Sequence, residues 1–221
     1  MFYAPLIVLF MLALFGLLIL VFLLIMVGAI SYAFDKIGLD PFVVFTVLLA
    51  CLIGSHINIP VYRMRNDSLM RDQVVSFFGV RFRIPTMAAP ETVVAVNVGG
   101  AIIPCLMALY LLATTAYPLQ ALIGIAMMAG VSKWLARAVP GLGIAMPAFI
   151  PPIIAALVGL ILAPDQAPML AYISGTLGVL IGADLLNLKN LTALQAPVVS
   201  IGGAGTFDGI FLTGIIAVLL A

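Results

Sequence analysis

The chain has 221 residues, of which 65% are hydrophobic and only 8% are charged. An average soluble domain carries about 25% charged residues, so this chain has too little polar surface to cover a water-soluble globule. Its net charge of +1 predicts no nucleic-acid partner. We therefore expect an integral membrane protein in contact with lipid.

Seven apolar segments predict an all-α fold, a polytopic bundle of transmembrane helices broken by Gly and Pro. A helix needs about 20 mostly apolar residues to cross a bilayer, and its backbone must be hydrogen-bonded internally. The first segment has no charged residue from Tyr3 to Phe34, and we interpret it as an uncleaved anchor helix. We treat residues 1–221 as one transmembrane domain, with predicted spans at 5–34, 42–57, 92–114, 118–139, 149–163, 168–188 and 198–221.

The distribution of charge predicts an orientation. The one long polar connection, 58–91, carries five of the nine basic residues. An excess of Arg and Lys marks the cytoplasmic side of a membrane protein. In this arrangement Lys133, Arg137 and Lys189 fall on the same side as the connection, whereas the acidic residues Asp35, Asp40 and Asp165 fall on the other. We expect the N-terminus inside and the C-terminus outside.

Two parts of the chain resemble each other. The segments 52–58 and 180–187 each end a predicted span, and each precedes a span that opens with Gly-Gly-Ala, at 99–101 and 202–204. The similarity predicts a parallel repeat, an arrangement known from transporters. Apolar sequences also match by chance, and that interpretation stays open.

Two acidic residues lie within predicted spans, where an ionisable side chain is a functional hypothesis by default. Asp184 is near the inner end of the sixth span, at a depth of roughly 7 Å, whereas Asp208 would be roughly 16 Å deep in a helix continuous from Pro197. An extended stretch over 197–204 would bring Asp208 to the depth of Asp184. The two side chains would then be able to meet.

Two carboxylates that meet in a low dielectric cannot both ionise, so they share a proton. In such a pair one acid activates water while the other protonates a carbonyl oxygen, as in aspartic proteases. Two other interpretations remain open. The acids are part of an ion or proton pathway, together with His56, Asn97 and Asn187, or each of them caps a break in a helix.

The remaining reactive side chains predict no further chemistry. His56 is the only histidine, and no second His or Cys completes a metal-binding set beside it. We therefore expect neither a metal nor a cofactor. Cys51 and Cys105 are expected to be buried free thiols, and Lys133 and Arg137 are expected to extend toward the membrane interface.

The residues 182–188 and 202–214 together resemble the signature of a prokaryotic membrane-protein family whose function is unknown. This resemblance implies a prokaryotic plasma membrane and no particular activity.

A more distant resemblance is to intramembrane aspartyl proteases of the presenilin and signal-peptide-peptidase type. Ala183-Asp184 is similar to their Tyr-Asp motif, and Gly205-Thr-Phe-Asp208 is similar to their Gly-x-Gly-Asp motif, with Phe207 in place of the second glycine. Pro147-Ala148-Phe149 is similar to their Pro-Ala-Leu motif, although it precedes the acids instead of following them. The resemblance implies that Asp184 and Asp208 are catalytic, that Gly205, Pro147, Ala148 and Phe149 contact substrate, and that the substrates are transmembrane peptide segments.

Three functions therefore remain as hypotheses. The first is an intramembrane aspartyl-protease-like hydrolase, and the second is an ion- or proton-coupled transporter or channel for small solutes. The third is a non-catalytic scaffold that packs against partner helices through its Gly and Ala faces.

Overall fold

A computed structural model describes residues 4–65, 73–77, 80–84, 91–139, 143–188, 198–203 and 209–221. The described part is mostly helical. Its α-helices are α1 Ala4–Lys36, α2 Pro41–Gly54, α3 Ile103–Thr114, α4 Pro118–Leu135, α5 Ile150–Leu162, α6 Ala167–Val179 and α7 Gly209–Leu220. A π-helical segment, Val98–Ile102, leads into α3, and a second one, Leu180–Asp184, continues α6.

Three of the helical segments are long and apolar enough to cross a membrane. They are Leu14–Lys36, Pro118–Leu135 and Pro164–Leu188. The other helical segments are apolar but shorter: Phe42–Gly54, Val98–Thr114, Ile150–Leu162 and Gly209–Leu220. Large apolar side chains cover the outward faces, for example Phe15, Phe45 and Ile161. Extended apolar surface of this kind suits contact with lipid.

Strands accompany the helices. They are β1 Asn58–Arg65, β2 Gln73–Phe77, β3 Val80–Ile84, β4 Glu91–Asn97, β5 Arg137–Val139, β6 Gly143–Ala145 and β7 Val198–Ile201. The main sheet has the order β1-β4-β7, in which β1 is antiparallel and β7 is parallel to β4. Two antiparallel pairs, β2-β3 and β5-β6, are separate from it.

The sheet corrects the expectation of a purely helical fold. The segment 58–91, predicted as a polar connection, contains strands, and the predicted spans 92–114, 118–139 and 198–221 each include strand residues. The stretches 92–96 and 198–201 are rich in β-branched residues, which pack well on a pleated surface. A short apolar run does not by itself distinguish a buried strand from a helix.

Helix α6 is the centre of the bundle and packs against α3, α4, α5 and α7. Leu170, Tyr172 and Ile173 on this helix are fully buried. The neighbouring backbones approach closely because glycine occupies the contact points. A Cβ on Gly178, for example, would clash with Met128 of α4.

The helices have two distinct ends. At one end Lys36 Nζ lies 3.4 Å from the Val218 carbonyl oxygen, which joins the end of α1 to the end of α7. The opposite end carries the main sheet, the last turns of α4 and α6, and the first turns of α5 and α7. We call this opposite end the strand end.

Candidate functional site

Asp184 is the last residue of the π-helical segment that continues α6. Its side chain is half-buried. Single π-helical turns within α-helices are frequent at functional sites. The structure thus places Asp184 at an irregular point of the central helix, at the strand end.

Asp208 and Gly205 lie outside the described residues. The described chain before them ends with Gly203, whose nitrogen closes the turn after β7, and it resumes with α7 at Gly209. Within 197–204 the described residues form strand β7, Val198–Ile201, and a turn that the Gly203 nitrogen closes on the Ser200 oxygen. The predicted start of this helix near Gly205 also lies outside the described residues.

One buried apolar cluster contains residues that are close in sequence to Asp184 and to Asp208. It consists of Val94, Ala101, Val179, Ala183, Ile201 and Ile210. Ala183 directly precedes Asp184, and Ile210 follows Asp208 by two residues. The cluster therefore holds the end of α6 and the beginning of α7 together beside the ends of β4 and β7.

The third predicted motif approaches the same cluster. Met146 packs against it, and its Cε atom would lie 3.6 Å from a Cβ on Gly209, the residue after Asp208. Pro147, Ala148 and Phe149 follow Met146 directly and are exposed. Three segments that are distant in sequence thus converge on one region.

Asn97 is fully buried at the end of β4, and its side chain is fully engaged. Its amide nitrogen donates to the Ser55 carbonyl oxygen at 2.7 Å and to Asn58 Oδ1 at 3.0 Å. Its oxygen accepts from the Gly100 backbone nitrogen at 2.7 Å, which caps the π-helical segment before α3. Asn97 therefore joins α2, β1 and α3.

The two Gly-Gly-Ala segments touch at the ends of the parallel strands. Gly202 has a φ of +70°, and a Cβ on it would meet the backbone nitrogen of Ala101 at 2.7 Å. The turn is closed by a hydrogen bond from the Gly203 nitrogen to the Ser200 oxygen, of 3.1 Å. Strands β4 and β7 pair in parallel, and the first Gly-Gly-Ala segment is π-helical whereas Gly202 and Gly203 form a turn.

The other candidates from the sequence lie nearer the surface or in helix contacts. His56 is exposed at the end of α2, with Nδ1 3.2 Å from the Leu52 carbonyl oxygen. Within the described ranges no group of three His, Cys, Asp or Glu residues could hold a metal ion. Cys51 is a buried free thiol, as predicted, whereas the free thiol of Cys105 is half-buried.

Lys133 and Asn187 form a contact that the sequence did not indicate. Lys133 Nζ donates to the Leu186 carbonyl oxygen at 2.6 Å and to Asn187 Oδ1 at 2.7 Å. Asn187 Nδ2 donates to the carbonyl oxygens of Ala183, at 2.9 Å, and Gly182, at 3.2 Å. From the sequence we predicted only that Lys133 extends to the membrane interface. The hydrogen bonds were not predicted, because the partners of Lys133 lie more than 50 positions away in sequence.

A family model described as "Protein of unknown function (DUF1614)" matches residues 52–220, about three quarters of the chain. The match includes both acids and the Pro147-Ala148-Phe149 motif, and it confirms the predicted resemblance to a family of unknown function. No curated protein and no solved structure matches the chain.

Proposed function

We propose, from the premise that this chain belongs to the DUF1614 family of proteins of unknown function, that it is an intramembrane aspartyl-protease-like hydrolase. It cleaves transmembrane peptide segments with Asp184 and Asp208. The observation that carries the proposal is that three residues, each next to or near one of the predicted motifs in sequence, lie together in the structure. Ala183 and Ile210 belong to one buried cluster, and Met146 packs against it.

Strand β7, Val198–Ile201, lies beside the buried cluster and supports a site that water can reach. Non-helical backbone within a membrane is tolerated only against protein or a water-filled cavity. Strand β4 covers one edge of β7, and water at the other edge would supply the nucleophile.

The chemistry follows from a pair of acids that share one proton. The ionised carboxylate accepts a proton from water as the water oxygen attacks the peptide carbonyl carbon, and the protonated carboxyl gives its proton to the carbonyl oxygen. Collapse of the tetrahedral intermediate breaks the C–N bond. One hydroxyl group of the intermediate returns its proton to the ionised carboxylate, and the amine leaves with the proton of the other acid, so that the pair again holds one proton. Because the two acids titrate as one unit, neither Asp184 nor Asp208 is assigned as the base.

The sheet offers a place for an unwound substrate. Among the described strands β7 has a neighbour on one side only. The opposite edge of the sheet, β1, is interrupted by Pro60 and by a register shift between Pro60 and Tyr62. Proline and bulges discourage pairing at an edge, so β7 is the better edge for an added strand. Asp208 follows the end of β7 by seven positions in sequence.

The proposed orientation places the strand end in the cytoplasm of a prokaryotic cell, with the multi-pass chain in its plasma membrane. Arg63, Lys133 and Arg137 lie at this end, whereas Asp35, Asp40 and Asp165 lie at the other, where Lys36 is the exception to the partition. This partition of charge supports an inside N-terminus and an outside C-terminus. The apolar outward faces then contact membrane lipids.

Reconstituted protein tests the proposal with a single-span peptide substrate. Asp184→Asn and Asp208→Asn should each abolish cleavage while the protein stays folded. Asp165→Asn, an exposed acid at the opposite end, is the matched control and should cleave normally. A peptide with a hydroxyl group that mimics the tetrahedral intermediate should bind the wild type more tightly than either variant. Enzyme-dependent cleavage that persists in the double variant would refute the proposal.

The parallel strands β4 and β7 and their glycine-rich ends favour the transport alternative as a second candidate. In it Asp208 and Asp184 line a pathway with His56, Asn97 and Asn187. Asn97 and Asn187 would have to give up their hydrogen bonds within the protein to bind an ion. Gradient-driven uptake into proteoliposomes that is lost in Asp208→Asn, without any cleavage, would favour this candidate. If both acids can be replaced while partner proteins still co-purify, a scaffold is the better description.

A further inference from the structure

We infer that the last turns of α4 act as a brace that fixes the position of Asp184, with Lys133 as its positioning residue. The inference rests on the proposed function for its catalytic consequence. The brace itself is a structural statement about the end of α6, and it can be tested separately.

The segment that carries Asp184 departs from α-helical hydrogen bonding. It is a π-helical segment, Leu180–Asp184, followed by a 3-10 turn over residues 185–188. The carbonyl groups at the end of a helix have no partners within the helix, and other groups must bind them. An irregular helix end of this kind therefore needs support from outside to hold one conformation.

Asn187 supports this helix end directly, and Lys133 in turn holds Asn187. Asn187 is buried and its side-chain nitrogen binds the carbonyl oxygens of Gly182 and Ala183. Its side-chain oxygen accepts a hydrogen bond of 2.7 Å from Lys133 Nζ, which also binds the Leu186 carbonyl oxygen. The ammonium group thus orients the asparagine that holds the turn before Asp184. It also places a positive charge at the negative end of α6.

The backbone of α4 touches the same turn directly. A Cβ on Gly182 would clash with the carbonyl oxygen of Ala129 and would approach Ser132 Cβ at 2.8 Å. Ala129, Ser132 and Lys133 lie within about one helical turn of α4. One face of α4 therefore both packs against and hydrogen-bonds to the segment that ends in Asp184.

The brace predicts a specific catalytic effect. Displacement of a reacting group by about 1 Å can reduce a rate by about 100-fold, whereas substrate binding at a strand edge would not change. We therefore expect Lys133→Met to lower kcat by about 10- to 100-fold with KM changed by less than about twofold. Lys133→Arg keeps a donor of similar reach and should recover most of the rate.

Hydrogen exchange provides a readout that does not depend on activity. In purified protein, Lys133→Met should accelerate exchange at the amides of residues 183–188, and Lys133→Arg should restore slow exchange. Arg137→Met removes the same charge four positions later and should leave exchange in this segment unchanged. If Lys133→Met does not fold, Lys133→Gln replaces it in both measurements.

A destabilising change elsewhere separates positioning from general loss of stability. Gly159→Ala introduces a clash between α5 and the Ala167 carbonyl oxygen, at the end of the helices away from the strands. If amide exchange at residues 183–188 is unchanged in Lys133→Met, the brace is overturned. It is also overturned if Gly159→Ala and Lys133→Met lose the same stability and kcat falls equally in both. If the wild type cleaves no substrate, the proposed hydrolase fails while the exchange data still decide the brace.

Discussion

Gly202 lies directly against Ala101, and a Cβ on Gly202 would be 2.7 Å from both the nitrogen and the Cβ of Ala101. The contact joins the ends of the parallel strands β7 and β4, just before the chain reaches the predicted catalytic region. Gly202 also has a φ of +70°, a conformation that L-residues rarely adopt. Both the backbone conformation and the close approach require glycine at this position.

Gly202→Ala should therefore destabilise the protein more than a substitution that introduces only backbone strain. Gly38 provides the matched control, because its φ is +84° but a Cβ on it would meet nothing within 4 Å. We expect Gly38→Ala to cost about 1–2 kcal/mol from conformation and Gly202→Ala to cost about 2–5 kcal/mol from conformation and overpacking together. Unfolding of the detergent-solubilised protein measures both. Equal losses would show that the contact with Ala101 is unimportant.

Gly182→Ala should loosen the contact between α4 and the end of α6. The added methyl group would clash with the Ala129 carbonyl oxygen, which is backbone and cannot move easily. We expect a loss of about 1–3 kcal/mol in stability. Gly130→Ala is the control on α4, where an added Cβ meets nothing within 4 Å. It should leave stability unchanged or raise it by up to about 1 kcal/mol. A destabilised control and a neutral Gly182→Ala would contradict the observed packing.

Asn97→Ala should destabilise the junction of α2, β1 and α3. The substitution removes the cap on the Gly100 nitrogen and leaves this buried backbone group without its partner. Loss of a cap costs about 0.5–2 kcal/mol, and each buried unsatisfied group adds about 1–3 kcal/mol. His56→Ala changes an exposed side chain nearby and should stay within about 0.5 kcal/mol of the wild type. The same unfolding assay compares them. A loss of solute uptake without a loss of stability in Asn97→Ala would instead support the transport alternative.

Cysteine labelling tests the proposed orientation. In a Cys51→Ala/Cys105→Ala background, Tyr62→Cys places an exposed thiol on β1 and Asp165→Cys places one at the opposite end of the helices. In intact cells a membrane-impermeant maleimide should label only residue 165, and residue 62 should react after the membrane is permeabilised. The reverse pattern would invert the topology. Labelling of both positions from outside would contradict a bilayer between them.

The sequence predicted helices close to the bounds of α1, α2 and α5, because each is an apolar run bounded by polar or Pro-rich segments. It did not predict β4 and β7. The residues that pair, such as Val93 with Val198 and Val96 with Ile201, are about a hundred positions apart. Strand formation at these places depends on a partner that no local window contains. The β-branched residues in both stretches indicated strands. Because these residues are also strongly apolar, the stretches were interpreted as parts of transmembrane helices.

The candidate site was predictable in part. Asp184 stood out because a carboxylate in an apolar segment is costly, and this argument needs no fold. Lys133 did not stand out, since a lysine near a helix end usually extends to the membrane interface. Its hydrogen bonds to Leu186 and Asn187 exist only because α4 packs against α6. Met146 likewise gains its place beside Gly209 from the folding of the chain between α4 and α5.

By itself the sequence predicted apolar helices that could cross a membrane, because the balance of apolar and charged side chains is the same in any conformation. It also determined which acids would be costly within the apolar segments. Only the tertiary structure decided where the chain is strand instead of helix, and which residues surround Asp184. These outcomes depend on backbone pairing and close packing between segments distant in sequence, and such contacts form only when the segments meet in the folded chain.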